Sequence, residues 1–142
     1  MNIGIDMMGG DFAPLEAVKG VKSYLAIHNR NVNLYCIGDE ALVKPLLEEH
    51  QASSPNLHLV HAPQIIGYNE HPAKALKEKP QSSIAIGFQL LAEGKIDAFM
   101  SAGNTGAMLV GAMFTIKAIP GVLRPTIGAT MPKSDGSTGI LV

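Results

Sequence analysis

Apolar and polar positions along the chain alternate between a strand period and a helix period. Asn2-Ile3-Gly4-Ile5-Asp6 reads as a short buried strand. After it, Pro14, Val18, Val21 and Leu25 recur at i, i+4, i+7 and i+11, with Glu16, Lys19 and Lys22 between them, which predicts an amphipathic helix. Pro14 suits its first turn, where a missing N–H costs little. Asn31 to Ile37 reads as a second strand ended by Gly38-Asp39. Asp39 is a candidate cap for a helix over Glu40 to His50, in which Pro45 is expected to kink or shorten the run. Leu57 to His61 is a third strand and Ala62 to His71 a loop. Pro72 to Lys79 is a short helix ended by Pro80. Ser82 then caps a helix over Ser83 to Glu93 with Ile84, Phe88 and Leu91 on its inner stripe, and Gly94 stops it.

The apolar segment Asp97-Ala98-Phe99-Met100 reads as a further strand, and residues 104–119 as a helix. Ala107 to Phe114 is apolar all round, so this helix is expected to be buried on most sides. Thr126 to Met131 and Thr138 to Val142 read as strands around a turn from Pro132 to Ser137. Alternation of this kind implies an α/β fold, a mostly parallel sheet with helices on both faces, in an α/β/α sandwich. No internal repeat, low-complexity tract or linker interrupts it.

A length of 142 residues suits one domain, and a hydrophobic fraction of 46% is ample for a core. The net charge of −1 and pI near 6.5 argue against nucleic acid as a partner, because backbone phosphates demand a basic face. Cys36 is the single cysteine, so no internal disulfide forms, and its apolar strand favours a packed, inert thiol. Met1 to Pro14 lacks a basic, then apolar, leader pattern. The longest apolar run, near residue 110, falls short of the roughly 20 residues that span a bilayer. A soluble, cytoplasmic protein is the expectation.

Chemistry concentrates in two glycine turns. Ser101-Ala102-Gly103-Asn104-Thr105-Gly106-Ala107 follows a strand and opens a helix. Such a turn presents backbone N–H groups at a helix N-terminus, where they and the helix dipole favour an anion. Gly103 and Gly106 allow close backbone approach, and Asn104 and Thr105 add hydrogen-bond donors. Met7-Met8-Gly9-Gly10-Asp11-Phe12-Ala13-Pro14 forms the second turn after the first strand. In open α/β sheets ligands sit at the carboxyl ends of strands, so the turns are expected to converge on a phosphate-bearing substrate. Read alone, they are equally compatible with tight turns that bind nothing.

Together these segments resemble the PlsX phosphate acyltransferase family of bacterial phospholipid synthesis. The resemblance rests on Asp6 to Asp11 and on Ser101 to Ala107. It is extended by Lys74-Ala75-Leu76-Lys77-Glu78-Lys79-Pro80-Gln81-Ser82-Ser83 and by Ile119-Pro120-Gly121-Val122-Leu123-Arg124-Pro125. It covers the whole chain in order. Met7, Pro80 and Gln81 depart from the residues usual in the family. Members run to roughly twice this length or more, so residues 1–142 are expected to be the N-terminal portion of a single larger acyltransferase domain, cut in a strand near 142. The family's next motif, an Asp-x-Gly-Ala-Asn turn, would follow at once.

The resemblance implies a fold shared with phosphotransacetylases and isocitrate dehydrogenases. It implies transfer of a fatty acyl group from acyl carrier protein to inorganic phosphate, giving an acyl phosphate for glycerol-3-phosphate acylation by a downstream acyltransferase. A homodimer and peripheral membrane association are further implications, and no metal or organic cofactor is required. Asn104 and Thr105 then become the catalytic candidates, with Gly9, Gly10, Ser82, Ser83, Ser101, Gly103 and Gly106 around phosphate. Asp6 and Asp11 would repel an anion, so their role is to hold the glycine loop or orient a basic group. Lys77 and Lys79, with Lys74, form either a solvated helix face or a basic edge that attracts phosphate or an acidic carrier protein.

The histidines show no ligand spacing. His58 and His61 lie three apart on a strand and face opposite ways, while His28 and His50 suit helix ends. His71, before Pro72 in a loop, is the one left without such an explanation. No zinc, P-loop or dinucleotide signature occurs, and with 5% aromatic residues and no Trp there is no platform for RNA bases. Two alternatives remain beside the acyl carrier protein reading: a phosphotransacetylase-like enzyme that uses acyl-coenzyme A, and a non-catalytic binding or scaffold domain.

Overall fold

A computed structural model describes residues 1–27 and 32–142. His28 and Asn31, to which the sequence assigns a helix end and a strand start, lie outside the described residues. The chain runs β1 (Asn2–Asp6), α1 (Leu15–Ile27), β2 (Asn33–Gly38), α2 (Glu40–Glu49), β3 (Leu57–His61), α3 (Pro72–Glu78), α4 (Ser83–Ala92), β4 (Ala98–Met100), α5 (Thr105–Gly111), β5 (Ala129–Pro132) and β6 (Thr138–Leu141).

Four strands form one parallel sheet in the order β3-β2-β1-β4. Its two faces are covered separately, because side chains alternate along each strand. Ile3, Ile5, Leu34 and Cys36 join Val18 and Val21 of α1 and Val43 and Leu47 of α2 in one core. Gly4 lies on the opposite face, against Ile37, Ile96 and Phe99. There Ile84 and Phe88 of α4 form the second core with Ile66, Ala75 and Ala107. The fold is α/β with a parallel sheet flanked by helices, as the alternating pattern implies.

Local signals set several boundaries. The Asp39 side chain accepts from the Ala41 amide and starts α2. Ser82, fully buried, accepts from the Ala85 amide and starts α4. Pro45 does not shorten α2, which runs on to Glu49. Cys36 is fully buried, and burial pushes its thiol up to about 12, well away from reactive thiolate.

Two further expectations need correction. The helix expected over 104–119 is regular only to Gly111. Ala112–Ile116 widens into a π-turn, closed by Lys117 N–H on the Ala112 carbonyl, and Lys117 ends it at φ 71°. Nor is it buried on most sides: no residue of 112–116 is buried, and Phe114 is 76% exposed. An apolar run measures how much surface a helix offers for burial; it does not supply partners for that surface. The second correction concerns the last two strands. β5 and β6 form their own antiparallel hairpin, Ala129 opposite Leu141, apart from the parallel sheet. Gly136 at φ 80° makes the turn, with Lys133 N–H on the Ser137 carbonyl. Among the described residues no helix is long and apolar enough to cross a membrane.

Candidate active site at the meeting of two glycine turns

β1 and β4 are adjacent although their residues lie some ninety positions apart, with Ile5 opposite Met100. β1 leads across to β2 on one side and takes β4 on the other. This is the point where strand order reverses and where open α/β sheets leave a crevice at the carboxyl ends. The turn after β1 and the turn after β4 both open there.

The two turns interlock. A Cβ on Gly9 would stand 2.6 Å from the Gly103 nitrogen, 3.0 Å from its Cα and 2.7 Å from Asp6 Oδ2. Only hydrogen fits at that place. Asp6, 4% exposed, braces both turns: Oδ1 accepts from the Met8 amide at 2.9 Å and Oδ2 accepts from the Ser101 hydroxyl at 2.6 Å. Ser101 Oγ in turn accepts from the Gly103 amide at 2.9 Å. The carboxylate thus spends its acceptor capacity on the loops. Asp6→Ala strips partners from the Met8 amide and the Ser101 hydroxyl. It should cost about 1–3 kcal/mol, read as a lower urea midpoint at unchanged slope. Unaltered stability would show that the brace contributes nothing.

Asn104 is 5% exposed and caps α5, its Oδ1 accepting from the Ala107 amide at 2.9 Å. Its Nδ2 donates to the carbonyls of Gly67 at 3.0 Å, Glu70 at 3.2 Å and Tyr68 at 3.4 Å. The side chain therefore straps the 64–71 loop onto the turn, and its two N–H donors are taken. Tyr68 adds a second tie, its hydroxyl donating to the Ala102 carbonyl at 3.2 Å. Glu70 closes the loop by accepting from the Gly67 amide and pairing with Lys79 at 2.6 Å. Lys79 also donates to the Ile65 carbonyl. The Lys79 ammonium, then the Gly67 amide, hold the Glu70 carboxyl below its ordinary value. This clamp is present above the ordinary carboxylate range and lost as pH falls through the lowered value.

The remaining sequence candidates differ in place and exposure. Thr105 is exposed at the first position of α5, and Gly106 lies against Pro72 of α3. Ser82 and Ser83 are buried at the start of α4, with the Ser83 amide on the Gln64 carbonyl. Asp11 is exposed beyond the first turn, and Lys77 is exposed on α3, where Lys74 pairs loosely with Glu78. His71 is the exposed N-cap residue of α3 with no side-chain cap bond. Sequence reasoning did not find Tyr68 and Glu70. Both act through contacts to residues up to 34 positions away, which no local pattern encodes.

What is left open at the junction is backbone. Among the described residues, the amides of Gly9, Gly10, Asn104, Thr105 and Gly106 make no hydrogen bond. N–H groups left free at a helix N-terminus and beside a Gly10 held at φ 112° are of the kind that can donate to an anion.

A family model described as "Fatty acid synthesis protein" matches residues 1–142. The chain belongs to the fatty acid synthesis protein family. Relatives named phosphate acyltransferase share its sequence closely. That of Thermoanaerobacterium thermosaccharolyticum is 40% identical over 141 residues, covering 99% of this chain and 40% of the relative. That of Dictyoglomus turgidum is 41% identical, covering 93% and 39%, and that of Chlorobaculum parvum 41%, covering 99% and 42%. The chain spans about two fifths of the length of these relatives. Both glycine turns therefore lie within the segment shared with this family.

Proposed function

We propose that the protein carrying this chain is a phosphate acyltransferase, which moves a fatty acyl group from a thioester of acyl carrier protein onto inorganic phosphate for phospholipid synthesis. The observation that carries this reading is the group of unbonded backbone amides where the two glycine turns meet. The relatives' name supports it. One phosphate oxygen attacks the thioester carbonyl carbon, the C–S bond breaks, and the thiol leaves with a proton. No protein nucleophile is needed, because phosphate itself is one. The protein's task is to hold phosphate near the carbon and to offer donors to the developing oxyanion.

In this reading the amides from Asn104 to Gly106 and of Gly9 and Gly10 bind the anion, and the exposed Thr105 hydroxyl is the side chain best placed to add a donor. Asp6, Ser101, Asn104 and the 64–71 loop are positioning groups. Exposed Lys77 offers a positive point to an acidic carrier protein, whereas Lys79 is already paired with Glu70. Acyl–acyl carrier protein should be consumed only when phosphate is supplied, with acyl phosphate as product, and acyl-coenzyme A should be the poorer donor. Thioester loss at the same rate without phosphate would refute the assignment. A preference for the coenzyme A thioester would move it to the phosphotransacetylase type.

A further inference from the structure

The two glycine turns also close one end of a cleft of about 630 Å³, a volume typical of small-molecule sites. Its floor is the sheet face under α1: Ile3 and Ile5 of β1, Leu34 of β2 and Met100 of β4. Its wall is α1, where Ala17, Gly20 and Tyr24 line the cleft at i, i+3 and i+7, one helix face. Phe12 stands at the rim. Two of these large apolar side chains remain open to solvent, Phe12 at 73% and Met100 at 57% exposure. Gly20 lines the cleft, and a Cβ there would meet nothing within 4 Å, so the position has room for a side chain.

The same cleft is lined at its end by Asp6, Gly9, Gly10, Ser101 and Ala102, the residues of the interlocked turns. It is thus polar at the glycine turns and apolar along its length. We propose that it receives the hydrocarbon tail of the acyl group, with the reacting carbonyl at the glycine turns. This rests on the acyltransferase reading. Continuity with the free amides of those turns selects a ligand with an anionic head and an alkyl tail.

The test uses the full-length protein and a series of alkyl phosphates from butyl to hexadecyl, unreactive mimics of an acyl phosphate, with affinity read by calorimetry. Affinity should rise with chain length, by up to about fourfold for each methylene that is buried. Gly20→Leu puts a side chain into the open space at that lining position, and Met100→Glu puts a charge on the floor at an exposed position. Each should lower the ratio of hexadecyl to butyl affinity at least tenfold. Affinity that is flat with chain length in the unmodified protein, or variants that leave the ratio unchanged, would overturn the cleft assignment. Phosphate-dependent turnover with chain-length-independent binding removes the cleft and keeps the function. Chain-length-dependent binding without phosphate-dependent turnover removes the function and keeps a tail site.

Discussion

Asn104→Ala should destabilise the protein by about 2–4 kcal/mol and should weaken phosphate use in the same variant. Loss of the helix cap accounts for about 1 kcal/mol. The rest comes from the part-buried bonds to the carbonyls of Gly67, Tyr68 and Glu70, which lose the two amide N–H donors at about 0.5–1.5 kcal/mol for each donor. Asn104→Asp separates the two contributions. It keeps an oxygen for the Ala107 amide and an acidic group at a helix start, which is favourable, but it turns an oxygen toward carbonyl oxygens. If the strap matters, Asp should be nearly as destabilising as Ala in chemical denaturation, and the 64–71 loop should exchange its amide hydrogens faster in both. An Asp variant with the stability of the parent would mean that Asn104 is a helix cap and nothing more.

The sequence assigned Asn104 a hydrogen-bonding role from its place in a glycine turn, but it could not show where those bonds go. Where a signal was local, the sequence was legible. Asp39 and Ser82 each precede a helix and cap it, and β3 spans Leu57–His61 as its apolar pattern implies. The convergence of the two turns was also legible, because ligand crevices in parallel sheets gather at strand carboxyl ends. Their interlock was not. It depends on β4 being the neighbour of β1, a pairing across the whole sheet, and on Gly9 meeting Gly103 atom to atom. The cleft was invisible for the same reason. Gly20 reads as a weak point in a helix, and Phe12 and Met100 read as ordinary apolar residues, until α1 is laid over β1 and β4. The π-turn at Ala112–Ile116 and the separate β5-β6 hairpin had no period of their own to reveal them.

Gly9→Ala should lower kcat/KM for phosphate by about a hundredfold while leaving the fold intact. The added methyl carbon would lie 2.6 Å from the Gly103 nitrogen and 3.0 Å from its Cα. Those are backbone atoms, which cannot rotate aside as a side chain can, so the two turns must part. A displacement of about 1 Å at a positioning element is enough for a loss of that size. Gly103→Ala gives the contrast. Its Cβ would meet Ser101 Oγ at 3.1 Å, Asp6 Oδ2 at 3.3 Å and Gly9 Cα at 3.3 Å, which is tight but within reach of small adjustments. It should therefore be the milder of the two by about tenfold. Steady-state rates against phosphate, at saturating thioester and with folding checked by thermal melting, would rank them. The order matters more than either value: if Gly103→Ala proved the more damaging, the geometry of the junction would not be what holds the amides in place for phosphate.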